Sequence, residues 1–257
     1  MAELAIAAAG RRTRALAVGS GARRALRDGV RGSVELAFGP GGYLRLAEHH
    51  VLLAPARSPL GPLSVLVAGL ARGDLVPGEP AGVTQATLTV GALQIDLAGA
   101  VGPPPPPRTG APDAGASSAL AAALAAVAPA PDTLAAGLAA LAAGNVASAV
   151  AQLAGRGDGL TPAGDDALAG YAAWRWARGA AVALPAERCA PLGREYLRCA
   201  ERGELPQPAA RVLDAIRAGD RRAAARRAAA LADWGASSGA ALLWGIAAGV
   251  AEQGQAR

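Results

Sequence analysis

Pro103-Pro-Pro-Pro-Pro107, followed by Arg-Thr-Gly-Ala-Pro-Asp113, divides this 257-residue chain into two stretches with different hydrophobic patterns. Consecutive prolines favour an extended, semi-rigid backbone and donate no ladder hydrogen bonds, so neither a strand nor a helix continues through them. The run predicts a linker over 103–114, with one domain at 1–102 and another at 115–257.

Before the linker the chain reads as short strands. Ser33-Val-Glu-Leu-Ala-Phe38 alternates, Gly39-Pro-Gly-Gly42 supplies a turn, and Tyr43-Leu-Arg-Leu46 alternates again. His50–Ala54, Leu63–Ala68, Thr84–Val90 and Leu93–Leu97 are further strand candidates, the last two joined by a tight Gly91-Ala92 connection. A helix between Thr13 and Leu26 is a weaker candidate. The pattern predicts a small antiparallel sheet or barrel.

After the linker the reading is helical, with candidates at Ser117–Val127, Asp132–Ala143, Asn145–Leu153, Thr161–Arg178, Ala186–Arg202, Pro208–Ala218, Asp220–Trp234 and Ser237–Glu252. Asp132, Asn145, Thr161 and Asp220 are suitable N-caps, and Pro162 suits a first helical turn. The fold class is therefore α+β, an N-terminal β-rich domain followed by a mainly helical one.

Composition excludes several classes. With 52% hydrophobic and 18% charged residues the chain can bury a core and is not disordered. Only 3% of residues are aromatic, so that core is aliphatic and rich in Ala. Two cysteines, Cys189 and Cys199, make no disulfide scaffold, and their spacing is unlike that of zinc ligands; buried thiols are expected. The 25 basic residues are all Arg, and the net charge is +5. Arg221, Arg222, Arg226 and Arg227 form the densest patch, spread around a broad arc without interleaved aromatics. A solvated helix face, not nucleic-acid binding, is the expectation. Apolar residues precede Arg11-Arg12, the reverse of a secretory signal. Ala236–Ala251 falls short of the ~18–20 apolar residues of a membrane span. A cytoplasmic protein with no membrane partner is predicted. Neighbours on a strand face opposite ways, so His49-His50 is not expected to hold one metal, and the four Trp are expected to pack in a core or interface.

The most informative segment is Gly155-Arg-Gly-Asp-Gly-Leu-Thr-Pro-Ala-Gly-Asp-Asp166. Alternating glycines lead into Thr161-Pro162, so unpaired N–H groups of a first helical turn would face the loop, an arrangement suited to phosphate or carboxylate. Gly157, Gly159, Thr161 and Gly164 are candidate substrate-binding residues. Asp165 and Asp166 are candidate catalytic residues, able to position an amide or accept a proton; they also suit a helix start through its dipole. Because two acids would repel an anion, Mg2+ is a candidate cofactor, with Asp158, Asp165 and Asp166 as candidate ligands. Gly164-Asp-Asp-Ala-Leu-Ala-Gly170 can be laid on Gly239-Ala-Ala-Leu-Leu-Trp-Gly245, with Ser237 and Ser238 before the second element. The echo means either close helix packing or two helix starts converging on one ligand. In the latter case Ser237, Ser238 and Gly239 bind substrate as well.

Gly155-x-Gly-x-Gly-Leu-Thr-Pro-x-Gly-Asp-Asp166 resembles the signature of a bacterial family that includes the AllH-type subunit of oxamate carbamoyltransferase. Ser237-Ser238-Gly239 and Gly61-Pro62-Leu63-Ser64 are similar to that family too. The resemblance implies a carbamoyltransferase subunit that interconverts oxamate plus carbamoyl phosphate with oxalurate plus phosphate, in allantoin and purine nitrogen catabolism. It implies small anionic substrates and other carbamoyltransferase subunits as partners, one of them similar to acyl-CoA synthetases. The competing expectation is a non-catalytic ligand-binding or scaffold subunit using the same loop.

Overall fold

The computed structural model describes residues 10–103, 110, 112 and 114–255. Of the predicted linker, Pro104–Pro107 and most of the following residues lie outside the described residues. The chain divides into two compact units, Met1–Pro104 and Pro105–Arg257.

The first unit is a closed eight-stranded barrel: β1 Arg11–Val18, β2 Arg31–Phe38, β3 Gly41–Leu46, β4 His49–Pro55, β5 Ser64–Val67, β6 Pro80–Thr84, β7 Thr87–Val90 and β8 Leu93–Asp96, in the spatial order β1-β5-β4-β3-β2-β6-β7-β8. Alternation places Leu44, Leu46, Val51, Leu53, Val65, Val67, Leu88, Val90 and Ile95 in the interior, where each is fully buried. The closure abolishes free edges. Two pairings, β4 with β5 and β1 with β8, are parallel, which corrects the expectation of a purely antiparallel sheet.

Two local readings are also corrected. Thr13–Leu26 is no helix; β1 occupies its first part, and only the short α1, Ser20–Ala25, is helical. Pairing of β1 with both β5 and β8 overrides the helical preference of Ala15 and Ala17. Thr84–Val90 is a hairpin, not one strand, because Gln85 and Ala86 turn with φ of 47° and 59°. That turn carries none of the Gly or Asn that normally advertises it. The Gly91-Ala92 connection joins β7 to β8 as the sequence predicts.

The second unit is helical: α2 Ala116–Leu124, α3 Asp132–Ala142, α4 Val146–Leu153, α5 Ala163–Ala177, α6 Pro191–Ala200, α7 Gln207–Arg217, α8 Arg221–Ala232 and α9 Ser238–Gln255. The helix expected at Ala186–Arg202 begins only at Pro191, because a residue preceding proline is driven out of the α region; Ala190 has ψ 148°. Asn145 and Asp220 cap their helices as predicted, accepting from Ser148 N–H and Ala223 N–H. Asp132 instead lies inside α3 behind Pro131, and Thr161 stands outside α5, whose N-cap position is Pro162.

Within this unit a three-helix motif occurs twice at a constant spacing of 75 residues, as from Pro131 to Pro206. Each copy starts at a proline N-cap and runs through α3 or α7 to a left-handed glycine, Gly144 (φ 74°) or Gly219 (φ 67°). The closing hydrogen bonds agree bond for bond. Gly144 N–H donates to Leu141 O and Asn145 N–H to Ala140 O; Gly219 N–H donates to Ile216 O and Asp220 N–H to Ala215 O. This is a Schellman ending whose last residue caps the next helix, α4 or α8. Each copy then ends in a long helix, α5 or α9.

These two long helices run parallel, and their contacts are reciprocal. A Cβ on Gly170 would lie 2.0 Å from Leu242 O, and one on Gly245 would lie 1.8 Å from Ala167 O. Glycine therefore lets the two backbones touch. Farther along, Gly249 faces the Trp174 indole, and Glu252 takes hydrogen bonds from Tyr171 Oη (3.2 Å) and Arg175 Nη1 (2.5 Å). α5 is buried on nearly every face, so it is the centre of this unit.

Candidate functional site

The loop at 155–160 is exposed, and its glycines Gly155, Gly157 and Gly159 all have positive φ. At Gly157 (φ 108°) a side chain would also press on Ala163 N, 2.9 Å from its Cβ. The loop folds back onto the helix start: Gly164 N–H donates to Arg156 O at 2.8 Å, and Asp165 and Asp166 N–H both donate to Pro162 O. Among the described residues, only the Ala163 amide of the first turn of α5 is left without an acceptor, which corrects the expectation of a row of free donors there. The chain's own carbonyls have taken them.

The two acids differ sharply. Asp165 is buried, with Oδ1 accepting from Gly155 N–H at 2.7 Å and Oδ2 from Ala190 N–H at 2.8 Å. It ties the glycine loop to the chain entering α6, and Gly193 is bare because a Cβ there would lie 2.4 Å from Asp165 Oδ2. The Cys189 thiol beside it is pushed up to about 12, first by burial and then by the Asp165 charge, so it is an inert buried thiol. Cys199 is also a buried thiol, with Arg202 Nη2 donating to its Sγ at 3.8 Å.

Asp166 is buried without such partners. Its Oδ2 has no hydrogen-bond partner among the described residues. Burial pushes its carboxyl up to about 7; the neighbouring Asp165 charge adds to the rise, while hydrogen bonds from the Ser238 and Thr161 hydroxyls oppose it. Thr161 Oγ1 and Ser238 Oγ are themselves 3.2 Å apart, which brings the loop, the start of α5 and the start of α9 to one place.

Ser237 and Ser238 are half-buried there, and Gly239 is buried against Leu231 O, 1.8 Å from where its Cβ would sit. Thr161, Asp166 and Ser238 are thus together, Gly164 and Gly239 are packing glycines beneath them, and Asp158 is exposed in the loop. The proposed metal trio is not assembled. Asp165 spends both oxygens on backbone donors, and no cluster of three or more His, Cys, Asp or Glu among the described residues can hold a metal ion. The role of residues 189–190 in holding Asp165 was not visible in the sequence; Pro191, which stops the helix short of them, was the available signal.

Elsewhere the sequence readings meet ordinary surroundings. Buried His50 pairs with Glu35 Oε2 at 3.0 Å. Arg221, Arg222, Arg226 and Arg227 are exposed on α8. Trp174 is fully buried and Trp244 nearly so. No helix among the described residues is long and apolar enough to cross a membrane.

Residues 153–250 match the family described as oxamate carbamoyltransferase subunit AllH. The matched stretch contains the glycine loop, both acids and the start of α9, the same residues that the geometry gathers. The family's description names a subunit, and so implies other subunits in a complex. No curated protein and no solved structure matches the chain.

Proposed function

We propose that this chain is a catalytic subunit of a multi-subunit carbamoyltransferase, binding a small anionic substrate where α5 and α9 begin. The reaction is transfer of a carbamoyl group between phosphate and oxamate, in the setting of allantoin and purine nitrogen breakdown. The observation that carries the reading is Asp166: a buried carboxyl with a free oxygen, raised to about 7, between two hydroxyls at two helix starts.

In the proposed step the oxamate amide nitrogen attacks the carbamoyl carbon. A C–N bond forms, the C–O bond to phosphate breaks, phosphate leaves with that electron pair, and the nitrogen gives its proton to the Asp166 carboxylate. A base with a pKa near the working pH suits such a transfer. The fixed dipoles of the helix starts, together with Thr161 and Ser238, orient the reactants and offset developing charge. Asp165 holds the loop and touches no reactant.

The test is carbamoyl transfer by the complex reconstituted from its subunits. Asp166→Asn is expected to lower turnover by ~10²-fold or more while the fold is kept. Wild-type turnover is expected to rise through pH 7 as the carboxylate forms. Turnover near that of the wild type in Asp166→Asn would leave the chain a non-catalytic subunit.

A further inference from the structure

We infer that the start of α9 holds the negative group of the ligand, and that Asp166 faces the amide or carbamoyl group of the same molecule. The inference rests on the site proposed above and assigns its two halves.

It follows from how the two copies of the repeat diverge. α5 carries Asp165 and Asp166 in its first turn; the positions 75 residues on are Ala240 and Ala241, and α9 has no acid in its first turn. α5 has spent its first-turn amides on Arg156 O and Pro162 O, all but that of Ala163, whereas α9 leaves one more free. In α9, Gly239 N–H is taken by Trp234 O and Ala241 N–H by Ser237 O, but Ser238 N–H and Ala240 N–H have no acceptor among the described residues. Two free amides, the Ser237 hydroxyl and the positive end of an 18-residue helix suit a carboxylate or phosphoryl group. The α5 half offers the opposite chemistry. Its free Asp166 Oδ2, buried beside Ser238, accepts a hydrogen bond and repels a second negative charge. A ligand bearing both an anionic group and a primary amide fits both halves at once, in one orientation.

Calorimetric titration of the full-length chain with oxalate, oxamate and inorganic phosphate tests this. Ser237→Asp places an anion where a helix N-cap tolerates one, so folding is kept while the free amides are occupied. Ala240→Glu does the same from the third helical position, which also favours an acid, should the first variant fold poorly. Either change is expected to weaken oxalate, oxamate and phosphate by at least about tenfold. Asp166→Asn is expected to weaken oxamate by about tenfold and to leave oxalate as tight or tighter. Oxalate affinity within about twofold of wild type in the α9 variants would overturn the assignment. So would equal losses of oxalate and oxamate in Asp166→Asn, or no binding of any of the three to the wild type at millimolar concentration. Carbamoyl transfer by the reconstituted wild-type complex is scored separately. Transfer that is present while binding ignores the α9 variants would sink this inference alone; absent transfer would sink the proposed function.

Discussion

The two copies of the helical repeat, Pro131–Trp174 and Pro206–Gly249, share their scaffold and differ in their chemistry. Proline starts, left-handed glycines, capping bonds and packing glycines coincide at the 75-residue spacing. The last turn before the long helix does not. The first copy has a short α4, an exposed glycine loop and two buried acids; the second has a longer α8, a shorter loop and alanines at the acid positions. Residues that let backbones approach have stayed alike, while those at the meeting point of the helix starts have diverged. The lesson is that symmetry in this unit belongs to packing, and asymmetry marks the site.

The packing half of that comparison predicts the largest effect. Gly170→Ala and Gly245→Ala each drive a methyl group into a backbone carbonyl, which cannot rotate aside as a side chain can. Each is expected to destabilise the helical unit by ~4 kcal/mol or more, above the usual range for overpacking, measured by chemical denaturation. Near-equal losses would sharpen the equivalence; a tolerated change in one copy would break it.

The chemical half predicts a pH dependence with no counterpart at Ala241. The Asp166 carboxyl titrates near 7 in the folded chain against an ordinary value of 3.8. The folded state therefore binds the proton more tightly, and the stability this confers is present below pH ~4 and lost as pH rises through ~7. At ~1.4 kcal/mol per unit the span is ~4 kcal/mol. Asp166→Asn is expected to remove this slope, so the variant gains on the wild type most at pH 8. An unchanged slope would mean that the carboxyl is ionised throughout.

Asp165 is expected to behave in the opposite way. Asp165→Asn sets an amide N–H2 against one of two backbone donors, Gly155 N–H or Ala190 N–H. A loss of ~2 kcal/mol follows from the broken charge-assisted bond. It should appear as lower stability, with a smaller effect on turnover per folded molecule than Asp166→Asn has.

Legibility in the sequence followed the same division. β2 and β3 were readable because Val34, Leu36 and Leu44, Leu46 alternate on either side of Gly39-Pro-Gly-Gly42. β1 was not, because Ala15 and Ala17 carry no strand preference and become a strand only by bridging β5 and β8. Gly164–Gly170 and Gly239–Gly245 betrayed the meeting of α5 with α9. The wider repeat stayed hidden, since Asn145 and Asp220 share a function without an identity and the alanine background matches everything. The division of labour between Asp165 and Asp166 was beyond the sequence, because the partners of Asp165 are backbone amides at residues 155 and 190.

The smallest effect tests the scaffold where the copies are most alike. Asn145 caps α4 and Asp220 caps α8, each accepting from the amide three residues on, at 3.2 and 2.9 Å. In both, the backbone of the cap also closes the preceding helix through its own N–H, a bond that alanine keeps. Asn145→Ala and Asp220→Ala should therefore remove only the side-chain bond and cost ~1 kcal/mol each. Asp220 adds a full charge at the helix start, worth ~0.3–1 kcal/mol and screened by salt. Asp220→Ala should thus be the costlier change at low ionic strength and approach Asn145→Ala at high salt, as read from paired denaturation curves. A salt-independent gap, or a neutral Asn145→Ala, would mean that the matching geometry of the copies does not carry matching energies.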